Sequence, residues 1–529
     1  MNRLTALNRK TFLLVLGVVA LVLVACSSAT PTSTPTLSPT LSPPATPIPT
    51  AVATPTPILA STVGNGLVGG DPEFNAGVML WQGYWLSRDQ FGPFVMASGM
   101  GIPFMPPMEM VQGAMQMVGH NTNDPIMLPQ NMMPLQAIFA SGSSSLLNDP
   151  RDFEPLDFEG FRLDASTFDE TIGIRGQAET MLKETQWAHN FASAHFGQPD
   201  GDFGAQQRFI GMMVSMLAQM QGQYAMQNLM GEDGLYHDSD GNLDYTANWV
   251  MLHALSDLSL LTGPNGGRYS NPDSHPMFEN AASQLTQALE SRQPGSPQET
   301  AAAIRALTYR AWTSEDAGLG QAALAQARSL ADKNLLTFSS DDVVDKAAAV
   351  VGLVAIAYSA QDGRYLEAAQ AIISDMANDF DSAHGVFRSK DVYNVDDVAW
   401  IIGALNFMMQ KGGDTASGPA SQMLVAFYES TIGMSGIQLS APPGKNGALA
   451  SPWEMELPSV IYYHPVDTPP PPMSGKLPVP AEEITWDGSQ WQVTSDRFVS
   501  GGAMHLANEL NWLGPLLGSI PFPPKGTLG

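Results

Sequence analysis

Residues 347–358 read Ala-Ala-Ala-Val-Val-Gly-Leu-Val-Ala-Ile-Ala-Tyr, twelve positions without a charge. A helix that is apolar on every side is buried on every side. The next run, residues 364–380, is different. Tyr365, Ala369, Ile372, Ile373 and Met376 form one stripe, with Glu367, Ser374 and Asp375 off it. One apolar stripe belongs to an outer layer. The couple recurs: Leu255, Leu307, Leu353 and Leu405 sit at equivalent places in four apolar segments, 52, 46 and 52 residues apart. Phe278, Ala281, Leu285 and Leu289 stripe an earlier partner. A period near fifty residues marks a repeated helical hairpin. Apolar inner helices alternating with amphipathic outer ones predict a mainly α fold, an α/α toroid with an inner and an outer ring. An open solenoid would show the same alternation. At about a dozen residues, the uncharged run is too short for a membrane span.

The helix ends are marked. Ser296-Pro297-Gln298-Glu299 offers an N-cap serine, proline at the first helical position and glutamate three residues on, the pattern of a capping box. Ser339-Ser340-Asp341-Asp342 and Asn394-Val395-Asp396-Asp397 give comparable starts. Two further helices, near 171–196 and 205–230, read as a less regular first hairpin, as terminal repeats often are. After the repeats, Ile484 to Val493 predicts a hairpin around Asp487-Gly488, flanked by Trp486 and Trp491. A helix near 496–512 then stands ready to supply a missing ring element.

Ahead of the repeats, residues 78–96 (Val-Met-Leu-Trp-Gln-Gly-Tyr-Trp-Leu, a polar stretch, then Phe-Val-Met) predict a β-hairpin or two short strands, being aromatic, apolar and broken by Gly and Pro. Methionine dominates the stretch from 96 to 133, with Met96, Met100, Met105, Met108, Met110, Met115, Met117, Met127, Met132 and Met133. Thioether sulfur suits Cu(I), and His120 lies near enough in sequence to join it. The competing reading is packing, since methionine fills irregular gaps and is equally frequent in 212–230, where no ligand cluster is evident.

The chain carries a formal charge of −27, near −30 without Arg3, Arg9 and Lys10. So acidic a protein repels a phosphate backbone, which disfavours nucleic acid as a partner. The single cysteine, Cys26, excludes an intramolecular disulfide and a multi-Cys metal site. Arg3, Arg9 and Lys10 precede an apolar run over 12–25, the layout of a secretory signal. The run ends Leu23-Val24-Ala25-Cys26, which resembles the lipobox of bacterial lipoproteins. That resemblance implies cleavage before Cys26 and acylation of it, anchoring an exported protein on the outer side of the cytoplasmic membrane. Residues 27–60 are a Pro/Thr/Ser tract without charge or aromatic ring. Extended at about 3.1 Å per residue, it forms a stalk of up to ~100 Å. The expected organisation is therefore a signal peptide (1–25), a lipidated cysteine and stalk (26–70), a Met-rich irregular segment with its hairpin on the toroid (71–165), and the toroid with C-terminal hairpin and closing helix (166–529).

The layout resembles the six-hairpin glycosidase-like group of α/α barrels, on its architecture and on turns such as Gly234-Leu235-Tyr236 and Gly385-Val386-Phe387 leading into inner helices. The group includes glycoside hydrolases, polysaccharide lyases and epimerases. The loops entering the inner helices bring Asp238, Asp240, Asp244, Asp341, Asp342, Asp396 and Asp397 to one mouth, with Tyr245, Trp249, Tyr393 and Trp400. Paired carboxyls beside aromatic rings are what sugar chemistry requires. Asp244, Asp396, Asp397 and Asp342 are the catalytic candidates, and Tyr245, Trp249, Tyr393 and Trp400 the sugar-contacting ones. Aspartates in first helical turns also complement the macrodipole whatever the function. Asp238-Ser-Asp-Gly-Asn-Leu-Asp244 has calcium-like spacing, but an EF-hand frame puts Tyr236 first and Ala247 last, so it reads as a turn. The nine histidines give no zinc signature, and His253 reads as a core residue. No phosphate loop or nucleophile elbow is present, so no cofactor is expected. Two functions fit: a surface-anchored carbohydrate-active enzyme acting on polysaccharide or envelope glycan, and a non-catalytic surface lipoprotein binding glycan, protein or copper.

Overall fold

The computed structural model describes residues 66–117, 131–147, 159–192, 202–439 and 475–513. The targeting segment, Cys26 and most of the stalk lie outside them, as do His120, Met127, His195 and His464. In chain order the described helices are α1 (Ala76–Ala97), α2 (Met108–Met117), α3 (Ile174–Ala192), α4 (Asp202–Asn228), α5 (Tyr245–Thr262), α6 (His275–Leu289), α7 (Pro297–Thr313), α8 (Ala317–Asn334), α9 (Val343–Ala360), α10 (Gly363–Asp379), α11 (Val395–Lys411), α12 (Gly413–Tyr428) and α13 (Ser500–Asn511). α3, α5, α7, α9, α11 and α13 pack each on the next, and α13 packs back on α3. The inner ring is closed, which removes the solenoid. α4, α6, α8, α10 and α12 lie behind the inner helices they follow, and α1 lies behind α13. The fold is an α/α toroid whose last hairpin joins the two ends of the chain.

α9 carries the stretch that decides this architecture. Val350, Val351, Leu353, Val354 and Ile356 are fully buried, each worth about 1.5–3 kcal/mol of transfer free energy. The helix runs 18 residues, long and apolar enough to cross a bilayer by length alone, and longer than its uncharged part suggests. Its burial among the other ring helices marks it as core. Asp342 starts it by accepting the Val344 amide at 2.7 Å.

Strand pairing explains how the ring closes. β1 (Gly101–Pro103), β2 (Leu135–Ser143) and β3 (Asp169–Ile172) form an antiparallel sheet. Near the C-terminus come β4 (Phe380–Asp381), β5 (Val386–Phe387), β6 (Val392–Asn394), β7 (Glu483–Trp486), β8 (Trp491–Ser495) and β9 (Arg497–Val499). Both β3 and β9 pair with β2, through Phe139↔Ile172 and Ser141↔Val499. β3 leads into α3 and β9 into α13, so the sheet sets these two helix starts side by side. Glycine makes the approach close enough: a Cβ on Gly501 would lie 2.8 Å from Cγ of Arg175, and one on Gly502 2.5 Å from Cγ1 of Val395. The hairpin expected after the repeats is β7–β8, with Trp486 opposite Trp491 and β6 on its other edge.

The hairpin expected at 78–96 does not form. That stretch is the helix α1, capped by Asn75, which accepts from the Gly77 and Val78 amides at 2.9 and 3.3 Å. It packs on α12 as well as α13. Met79, Leu86, Phe94 and Val95 are consequently all fully buried. Burial on several sides erases the 3.6-residue period that would identify a helix, and Pro93 inside it reads in sequence as a break. The irregular segment thus contributes a ring helix. Of its methionines, Met100 is fully buried and Met96 and Met115 pack on the core, while Met105 and Met108 are exposed.

One cap differs in detail. Ser296 accepts the Glu299 amide at 3.1 Å, but Glu299 does not complete the box. Its carboxylate takes the Gly295 amide at 2.8 Å and Arg292 at 2.7 and 3.0 Å. Asn394 and Asp397 do form a reciprocal capping box at the start of α11.

Candidate functional site

α3, α5, α7, α9 and α11 are each followed by an outer helix running back, and the sheet sets the start of α13 beside that of α3, so the inner helices start at one mouth, where partial positive charge collects. Asp396, in the first turn of α11, stands in that field. Its Oδ1 accepts from Arg175 of α3 at 3.2 Å and from Nδ1 of His505 of α13 at 2.6 Å. Its Oδ2 accepts from the Trp400 indole at 3.1 Å. The side chain remains 37% exposed, while that of His505 is 3% exposed. Burial alone would push the Asp396 carboxyl up, but Arg175 and His505 outweigh it and hold it well below the usual carboxylate range. Burial likewise opposes charge on His505, yet Asp396 and Glu179 push its pKa up to about 9. The mouth therefore carries an ionised, approachable carboxylate beside an imidazolium at neutral pH.

The contacts continue inward. Nε of Arg175 donates to Glu179 at 2.8 Å, and the other Glu179 oxygen accepts from Asn508 at 2.8 Å. Nε2 of His505 lies 3.5 Å from Glu509, which is fully buried. Glu509 accepts from Nη1 of Arg305 at 2.8 Å. Arg305 sits on α7, across the ring from α13, so this pair spans the lumen. Its guanidinium lies 4.6 Å from the Trp512 ring centroid. A Cβ on Gly403 would come within 2.6 Å of Glu509, and glycine there lets α11 approach the buried carboxylate.

A second carboxyl faces the mouth from the turn before α5. Asp238 Oδ1 accepts the Ile174 amide at 2.7 Å, next to Arg175 in the chain. Burial, joined by Asp240 and Asp244, raises the Asp238 carboxyl above its ordinary range despite that amide. Arg175 in turn feels the charges of Asp396, Glu179 and Asp244 together. Asp396 bonds the Arg175 guanidinium, Asp238 bonds the amide of its chain neighbour, and the two carboxyls are displaced in opposite directions. Such opposed environments distinguish an acid from a base among chemically identical groups.

Of the eight residues singled out from sequence, the structure brings Asp396 and Trp400 into one hydrogen-bonded group and sets Asp244 in the same field. Asp244 also caps α5, accepting the Ala247 amide at 3.1 Å. Asp342 is exposed and caps α9. Asp397 serves its capping box and lies 3.2 Å from Lys390. Tyr245 lies under the Arg292 guanidinium, 3.7 Å from it. Trp249 and Tyr393 are fully buried, and the Tyr393 hydroxyl accepts the Phe387 amide at 3.2 Å. His253 is core, its ring 4.4 Å from that of Tyr309. Asp238 to Asn242 is a turn, closed by amide bonds across Asp238. Among the described residues, no group of three or more His, Cys, Asp or Glu side chains could hold a metal ion.

Arg175, Glu179, His505 and Glu509 were not singled out from sequence. The signal available was spacing: Arg175/Glu179 and His505/Glu509 are each four apart, on one helix face. What spacing does not reveal is that α3 and α13 are neighbours.

No known family profile matches this chain, and no curated protein does. Among solved structures it is similar to an endoglucanase from the termite Nasutitermes takasagoensis, at 12% identity and a TM-score of 0.44 over 83% of this chain and 98% of that one. It is also similar to the glycoside hydrolase family 9 endoglucanase J30, at 10% identity and a TM-score of 0.35 over 82% and 84%. By its own closed ring of helical hairpins, the chain is an α/α toroid.

Proposed function

We propose that the mouth of this toroid is a carbohydrate-active site of the glycoside hydrolase type. One observation carries the reading: Asp396 accepts from the Arg175 guanidinium while Asp238 accepts the backbone amide of the adjacent Ile174, and the two carboxyls lie in opposed environments. Asp396, kept ionised by Arg175 and His505 and still partly exposed, activates water or receives the sugar carbon. Asp238, whose carboxyl burial and the neighbouring Asp240 and Asp244 shift upward, donates to the departing oxygen. This is the division of labour that glycosidic cleavage needs. Trp400, itself buried, holds the second oxygen of Asp396, with its ring edge-on to that of His505 at 4.9 Å. The lumen-spanning Arg305–Glu509 pair lies below, so substrate is met at the mouth and not drawn through the ring.

We further propose that the domain stands outside the cytoplasmic membrane. The signal, the Leu-Val-Ala-Cys26 run and the Pro/Thr/Ser stalk support an acylated anchor carrying the toroid to envelope or external polysaccharide. Metabolic labelling with a fatty-acid analogue checks this: label is expected in the mature protein and absent from Cys26→Ser.

The activity is tested by reducing-end release from a broad panel of glycans. Wild-type protein is expected to cleave at least one class, and Asp238→Asn to slow turnover by about 10²–10⁴-fold. Hydrolysis by Asp238→Asn at the wild-type rate would remove that residue from the chemistry, and no cleavage across the panel would remove the enzyme reading.

A further inference from the structure

We propose that the hairpin beside the mouth carries a separate polysaccharide-binding ledge, made by Trp486 with His384 and Trp491, that seats an uncharged glycan chain. The inference rests on the reading of the mouth as a sugar site and names the class of chain it takes. Trp486 and Trp491 face each other across β7 and β8, with ring centroids 5.3 Å apart. The two are held differently. Trp491 packs on the core, lies 5.7 Å from the Tyr393 ring and donates its indole N–H to Ser430 at 3.1 Å. Ser430 in turn donates to the His384 carbonyl at 2.7 Å. Trp486 stands outside that core, part-exposed, and leans on the rings of Trp491 and His384, the latter 5.4 Å away. The His384 imidazole is fixed by Asp381 at 2.8 Å. Trp491 and His384 thus brace the Trp486 ring from behind.

A braced, part-exposed indole with amides and carboxylates around it suits a pyranose. The ring offers an apolar face to sugar C–H groups, while Asp487, Gln490 and Gln492, all exposed, edge it with hydrogen-bonding groups. Position supports the same ligand. β6 pairs with β7 from Asn394↔Glu483 to Val392↔Thr485 and then runs directly into α11. Trp486 lies three residues along β7 from Glu483, about 10 Å at a strand's rise. A short stretch of polysaccharide reaches from the ledge to the helix start that bears Asp396. Charge narrows the class. Asp244 and Asp396 both act on Arg175, and Asp238 and Asp240 lie with Asp244 in the turn before α5, on a chain of formal charge −27. Uronate or sulfate chains would be repelled there, and uncharged ones would not.

Affinity electrophoresis of the whole protein through gels containing uncharged polysaccharides (mixed-linkage glucan, xyloglucan, mannan) or anionic ones (pectin, alginate) tests the ledge. Wild-type protein is expected to be retarded by at least one uncharged chain and by neither anionic one. Trp486→Ala should weaken that retardation by about tenfold or more, the effect of losing about 1.4 kcal/mol of stacking, while Trp486→Tyr keeps most of it. Asp396→Asn should be retarded like wild type, because the ledge lies off the reacting centre. Equal retardation of Trp486→Ala and wild type, retardation by anionic chains alone, or none at all would overturn the ledge. Loss of hydrolysis bears on the mouth alone: a protein that binds through Trp486 without cleaving anything keeps the ledge and loses the enzyme.

Discussion

The toroid holds an aspartate–histidine pair at each end of its lumen, and the two pairs are built for different ends. At the mouth, Asp396 accepts from Arg175, His505 and Trp400 and keeps 37% of its side chain exposed. Toward the far ends of the inner helices, Asp257 is fully buried and accepts four hydrogen bonds: Thr185 at 2.5 Å, Gln186 at 2.7 Å, Tyr309 at 2.6 Å and His189 at 2.9 Å. Burial pushes the Asp257 carboxyl up, but His189 and the hydroxyl donors outweigh it and hold it down to about 2. Both carboxylates are therefore ionised. What separates them is access. A carboxylate with every lone pair engaged and no exposure ties α3, α5 and α7 together, whereas one that solvent reaches can act on a ligand. An ionised buried aspartate is not by itself a sign of chemistry.

The largest effect that would break this contrast is on stability. Asp257→Ala leaves Tyr309, Thr185, Gln186 and His189 without their shared acceptor, and should cost about 3–5 kcal/mol. Chemical denaturation measures it. A loss under about 1 kcal/mol, no more than an ordinary hydrogen bond, would mean that the far end is not a structural tie. Glycan binding by the fraction that remains folded should be unchanged.

The pH dependence sharpens the contrast by sign. The folded pKa of His505 is raised to about 9, so its contribution is complete below about pH 6.5 and is lost as pH rises through 9. The carboxyl of Asp257 is depressed to about 2, so its contribution is present above about pH 4 and is lost as pH falls toward 2. Stability profiles should show His505→Gln flattening the alkaline limb and Asp257→Asn the acid limb. Both variants changing the same limb would contradict the assignments.

The smallest effect concerns an aspartate at neither end of the network. Asp342→Ala removes the cap of α9 and should cost about 1 kcal/mol, with hydrolysis unaltered. A loss of turnover without a loss of stability would return Asp342 to the chemistry.

Much of this fold was legible in the sequence because burial imprints itself on composition. The uncharged run of α9 and the single stripe of α10 differ because one is enclosed and the other half-enclosed. α1 was illegible for the same physical reason: packed on both α12 and α13, it shows no stripe, and its tryptophans and tyrosine resemble strand residues. The site divides similarly. Asp396 and Trp400 are four apart on one helix, so a local pattern finds them together. Asp342, Asp397 and Asp244 carry the same first-turn signal because helix starts need acceptors, and sequence does not separate a cap from a reactive group. Arg175, His505 and Glu509 enter only through ring closure, which the pairing of β3 and β9 on β2 brings about over more than three hundred residues.

The most direct test sets the two aspartates against each other in one assay. Asp396→Asn and Asp257→Asn are compared with wild type for turnover per folded molecule on whichever glycan the panel identifies. The expected result is a fall of about 10²–10⁴-fold in kcat for Asp396→Asn, and wild-type kcat for Asp257→Asn with a lowered Tm. Full turnover by Asp396→Asn, or a matching loss in Asp257→Asn at equal folding, would contradict the account.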